Sequence, residues 1–125
     1  LSRRGKQMDD DAAESGAIGT RWIDRIAVIS VQVDLDMLGA PQLSDVLRQA
    51  LSDGPSALVV DLTKVEFMAS AGIAALVEAH DHASTTTRFA VVADGPATSR
   101  PLRLLGLDEL LSLYPTLDDA LRALA

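Results

Sequence analysis

Apolar residues in this chain fall into short blocks whose spacing switches between two periods, and the switches mark the elements. Ile18 to Ile23 and Ile26 to Val33 are two runs rich in branched apolar residues, separated by Asp24-Arg25. Two polar residues between such runs are enough for a tight turn, so the pair predicts a β-hairpin. Leu43, Val46, Leu47, Ala50 and Leu51 then recur at i, i+3, i+4, i+7 and i+8, which lines one face of a helix. Pro41 suits the first turn of that helix, where a missing N–H costs nothing. Asp53-Gly54-Pro55 stops it with a turn former and two helix breakers. Ala57 to Leu62 is almost continuously apolar, the pattern of a strand covered on both faces.

The second half repeats the alternation. Val65 to Met68 predicts a half-strand that leads into a second helix, with Ile73, Leu76, Val77 and His80 as its apolar face. Ser84-Thr85-Thr86-Thr87 disfavours further helix through β-branching and competition for backbone bonds, and Arg88 to Ala93 is the next strand. A third amphipathic stretch follows Gly95-Pro96, with Leu102, Leu105 and Arg100 on one side, and ends at Gly106 in a left-handed cap. Leu110 to Leu113 predicts a short edge strand. The last helix carries Leu117, Ala120, Leu121 and Leu124, with Thr116 as N-cap and Asp118 and Asp119 in the first turn, where the helix dipole favours them. Strands alternating with helices predict a single α/β domain with a four- or five-stranded mixed sheet and about four helices. The opening hairpin argues against a purely parallel sheet. Residues 1–16 are polar, mixed in charge and without periodicity, the pattern of a flexible tail ahead of a domain over 17–125.

Composition narrows the function. A chain of 125 residues is one domain, large enough to bury a core without staples. With no cysteine, neither disulfides nor a thiolate metal site hold it together, which fits a reducing, cytoplasmic setting. A net charge of -7 without a basic stripe argues against a nucleic-acid partner and would steer the chain towards a basic protein surface. No apolar run approaches the roughly 20 residues of a membrane span. The basic start, Leu1 to Lys6, is followed by Asp9, Asp10 and Asp11 rather than the apolar core of a signal peptide. No cofactor is expected, since Gly16-Ala17-Ile18-Gly19 lacks the spacing and the lysine of a phosphate loop. No metal is expected either, because His80 and His82, two apart on a helix, point in different directions.

The stretch from Val59 to Ala79, VVDLTKVEFMASAGIAALVEA, is the most informative. It runs strand, loop, strand end, and then Ser70 at the mouth of a helix. Ser70 is placed as an N-cap, its hydroxyl accepting from the N–H groups two or three residues on. Ala71 and Gly72 are small, so the helix mouth presents backbone, and a helix N-terminus favours negative charge. A phosphate on Ser70 would be tolerated there and would add about 1.5 to 2 negative charges to a neutral, small-residue patch. Met68-Ala69-Ser70-Ala71-Gly72 is similar to a nucleophile elbow, but the first glycine is missing. His80 lies about 15 Å down the helix and His82 further still, so no catalytic residue is assigned.

Three ordered blocks resemble the STAS domain, and specifically the anti-sigma factor antagonists. The first is Asp34-Leu35-Asp36 with Ala40-Pro41-Gln42-Leu43. The second is Asp61-Leu62-Thr63, Val65, Phe67-Met68 and Ser70-Ala71-Gly72. The third is Gly106-Leu107-Asp108, then Tyr114-Pro115-Thr116-Leu117 and Ala120-Leu121. The resemblance implies a partner anti-sigma factor of the serine-kinase type, bound by the unphosphorylated chain so that a sigma factor is freed. It implies Ser70 as phosphoacceptor and a phosphatase that resets it. The partner surface would comprise Met68, Ala69, Ser70, Ala71, Gly72 and Ile73, with Asp34 and Asp36 in the neighbouring loop. Two positions depart from the family pattern: Ala69, where many members carry aspartate, and Val33, where relatives often have glycine. Ala69 makes binding the firmer expectation and phosphorylation the less firm. Similar domains also serve as binding subunits of other assemblies, including transport-associated ones, with no phosphorylation switch.

Overall fold

The computed structural model describes residues 18–83 and 85–125; the expected N-terminal tail lies outside them. The strands are β1 (Ile18–Ile23), β2 (Ile26–Val31), β3 (Ala57–Asp61), β4 (Arg88–Val92) and β5 (Leu113–Tyr114). The helices are α1 (Gly39–Ser52), α2 (Ser70–His82), α3 (Ser99–Leu104) and α4 (Leu117–Leu124). The sheet is five-stranded in the order β1-β2-β3-β4-β5. β1 runs antiparallel to β2, and every later pairing is parallel. The mixed sheet and the hairpin are therefore as expected, and Asp24 takes the positive φ (55°) that a tight two-residue turn demands.

Alternation along the strands divides the core in two. Ala27, Ile29, Leu58, Val60, Phe89 and Val91 face α1, α2 and the Leu102–Leu111 segment in the larger cluster. Val28, Val59, Ala90 and Val92 face α4 in the smaller one. Both faces of β3 and β4 are thus covered, which is why those strands read as continuous apolar runs.

Three local expectations change. Leu110 to Ser112 form a turn instead of a strand: Leu111 N–H donates to Leu107 O (2.9 Å), Ser112 has φ of 54°, and only Leu113–Tyr114 pair with β4. Leu105 does not share a face with the fully buried Leu102 but is exposed, because α3 spans six residues and Leu105 lies past its end. The buried side of α2 is Gly72, Ala75, Leu76 and Ala79, with Ile73, Val77 and His80 at its margins. Gly72, Ala75 and Ala79 let α2 lie close to its neighbours, and the fully buried Leu76 fills the contact that Ile73 and Val77 flank.

Candidate functional site

The parallel strands β2 and β3 end at the same edge of the sheet, and the loops that follow them are stitched together there. Leu35 N–H donates to Phe67 O (2.9 Å), and Ala69 N–H donates to Leu35 O (2.9 Å). These bonds make a one-residue parallel bridge between Leu35 and Met68, which is all that remains of the expected half-strand. The loop carrying Asp34 and Asp36 therefore stands beside the mouth of α2, where the family resemblance implies it.

Leu35 is fully buried beneath that mouth. Gly72 lies directly over it: a Cβ on Gly72 would sit 2.7 Å from Leu35 Cβ and 3.0 Å from Met68 Cγ. Contacts below 3.0 Å do not occur without a shift, so this position accepts only glycine unless the loop moves. Met68 is 9% exposed and Gly72 is buried. Both are expected in the partner surface, and the structure puts them beneath the exposed residues of the α2 mouth. Ile73 is half-buried and packs on the larger core, whereas Ala69 is half-exposed and Ser70 and Ala71 are exposed.

Ser70 is the first residue of α2, and the N-cap position belongs to Ala69. No side chain caps this helix; Gly72 N–H instead donates to Ala69 O (2.9 Å). The expected capping bond from Ser70 is absent because its backbone is already helical, which turns the hydroxyl away from the N–H groups it would accept. The Ser70 hydroxyl has no protein partner among the described residues and stands at the positive end of the helix dipole.

Asp36, by contrast, does close its helix, which is α1. Its Oδ1 accepts from the amides of Gly39 (2.8 Å) and Leu38 (2.9 Å), closing the start of α1. The Gly39 amide first, and then that of Leu38, hold its carboxyl below the ordinary value of 3.8. Asp34 is exposed, and its carbonyl oxygen would lie 2.0 Å from a Cβ on Gly39. The loop therefore turns into α1 around a second obligatory glycine.

The same stitching exposes three large apolar side chains at this edge: Met37 at 84%, Leu38 at 77% and Phe67 at 53%. Met37 and Leu38 fall off the stripe that Leu43, Leu47 and Ala50 define, and that misfit is the sequence signal that would have found them. Polar alternatives do not assemble. His80 packs its ring edge-on against Phe89 (centroids 5.7 Å apart), while His82 lines the opposite side of α2. Among the described residues no group of three or more potential metal ligands gathers. No helix among them is long and apolar enough to cross a membrane.

A hairpin-led mixed sheet with its two stitched loops beside a helix mouth is the architecture of a STAS domain, and the chain belongs to that family. The model of the STAS domain matches residues 17–120. The anti-sigma-F factor antagonist RsfB of Mycobacterium tuberculosis is 38% identical over 96 residues, covering 77% of this chain and 79% of that protein. The crystal structure of an anti-sigma factor antagonist from Mycobacterium paratuberculosis superposes with a TM-score of 0.83 at 44% identity, covering 86% of this chain and 92% of that one. An anti-sigma-factor antagonist (STAS) domain protein from Planctomyces limnophilus gives 0.76 at 25% identity, covering 88% and 98%.

Proposed function

We propose that this chain is an anti-sigma factor antagonist that docks through the mouth of α2 onto an anti-sigma factor with serine-kinase activity. Docking frees a sigma factor, and phosphorylation of Ser70 ends it. The observation that carries this reading is the free, exposed Ser70 hydroxyl at a helix start, beside loops that expose Met37, Leu38 and Phe67. Apolar groups exposed together suit a protein contact. The names of the relatives at 38% and 44% identity support an anti-sigma factor as the partner. A phosphate on Ser70 would be stabilised by the helix dipole, so the fold would persist while the apolar contact surface acquired about two negative charges. A phosphatase would restore the binding form, and a role in transcription puts the chain in the cytoplasm.

Incubation with ATP and the anti-sigma kinases of the same genome, followed by intact-mass spectrometry, tests both halves. One phosphate is expected on the wild type and none on Ser70→Ala. Ser70→Glu should weaken the complex by about tenfold or more, while Ser70→Ala stays within about twofold. Equal binding by the two variants would sink the switch. A stable complex without phosphate would keep the antagonist and discard the phosphorylation, as Ala69 in place of aspartate already warns.

A further inference from the structure

Helix α2 differs from α1 and α4. Those two are sharply amphipathic, whereas the first two turns of α2, from Ala71 to Val77, are apolar on both sides. Its inner face covers the sheet; on its outer face Ala71 and Ala74 are exposed and Val77 is half-exposed. A helix apolar on both sides is ordinarily covered on both sides. With Met37, Ala40 and Pro41 at the start of α1, this outer face bounds a groove of about 880 Å³. Glu78, Asp81 and His82 stand along the groove on α2, and Asp45 on α1 is paired with Arg48 (2.7 Å). Asp81 lies 3.4 Å from His80 Nδ1, so with neutral histidines Glu78 and Asp81 are the charges left over. The unbalanced charge of the rim is therefore negative.

We propose that this groove takes an amphipathic helix of the anti-sigma factor, with apolar residues against Ala71, Ala74 and Val77 and basic residues against Glu78 and Asp81. The inference rests on the reading of the α2 mouth as the docking site, since Ala71 and Met37 belong to both and one partner can reach both. The walls select a helix. They are themselves helices with satisfied backbones, so an extended peptide laid between them would bury unpaired N–H and C=O groups. A helix brings its own bonds, and alanines on the floor let helix axes approach to about 8–10 Å. The 13 residues of α2 span about 20 Å, enough for between three and four turns of a partner.

The test is the affinity of the full chain for its anti-sigma factor, measured by calorimetry at two salt concentrations. The variants are Ala74→Arg, Glu78→Lys and Ser70→Glu, with thermal melting to confirm that the exposed substitutions leave the fold intact. Ala74→Arg is expected to weaken binding about tenfold or more by filling the floor with bulk and positive charge. Glu78→Lys is expected to weaken it about fivefold and to flatten its salt dependence. If Ser70→Glu weakens binding but neither groove variant does, the groove proposal is overturned while the α2-mouth reading stands. Tighter binding by Ala74→Arg would also overturn it, since a segment of this chain competing for the groove would then be its occupant. If the wild type binds no anti-sigma factor, the underlying reading falls and the groove proposal with it.

Discussion

Asp36 and Ser70 stand at the starts of two helices, α1 and α2, and only the first has its amides closed by a side chain. Both are polar side chains just before or at a helix start, and only geometry tells which one caps. Asp36 has an extended loop behind it and reaches forward to two amides; Ser70 is already in the helix and cannot. The capped carboxylate has its pKa lowered on folding, so its stabilisation is fully present above 3.8 and is lost as pH falls through the lower folded value. Asp36→Asn keeps an oxygen acceptor but loses the charge. The melting temperature of Asp36→Asn should lie below that of the wild type at neutral pH, with the gap closing from about pH 5 downwards. A gap independent of pH would show that the charge of Asp36 contributes nothing to the cap.

At the scale of elements, the spacing gives the buried faces of α1 and α4, but only Leu76 of the face expected for α2 and only Leu102 of that expected for α3 are fully buried. The α1 stripe of Leu43, Leu47 and Ala50 is buried as its spacing predicts. In α2 the close approach is made by Gly72, Ala75 and Ala79, residues that a pattern weighted towards large side chains passes over. Helix α4 is the clearest case of local signals agreeing. Thr116 accepts from Asp119 N–H (3.1 Å), and Asp118 and Asp119 lie in the first turn. Thr116→Ala should cost about 1 kcal/mol in urea denaturation, with the slope unchanged. A loss below a few tenths would mean that packing alone holds the start of α4.

The whole molecule depends on covering both faces of one sheet, and the coverage is unequal. Three helices and the larger cluster protect one face. The other relies on α4, with Ala120 fully buried and Leu117, Leu121 and Leu124 half-buried over Val28, Val59, Ala90 and Val92. Removing residues 117–125 should forfeit roughly 3–6 kcal/mol of apolar burial. That is a large part of the about 5–15 kcal/mol that holds a domain folded. The shortened chain should bind a dye specific for exposed apolar surface and lose its cooperative thermal transition. Retention of a sharp transition would show that the larger cluster folds alone.

Periodicity, turn residues and caps in the sequence were enough to determine the hairpin, the alternation of strands and helices, and the placing of Ser70 at a helix mouth. Each of these depends on neighbours within a few positions, where backbone sterics and hydrogen bonding dominate. The sequence blocks also pointed to the family, because they sit where the chain must turn or come close. Only the tertiary structure decided which residues of the site face outwards. Met68 and Gly72 go under the surface, and Met37, Leu38 and Phe67 come up, because Leu35 pairs with Met68 across 33 positions of sequence and wedges beneath Gly72. Burial at that edge is a property of two loops meeting, and no window along one of them contains it.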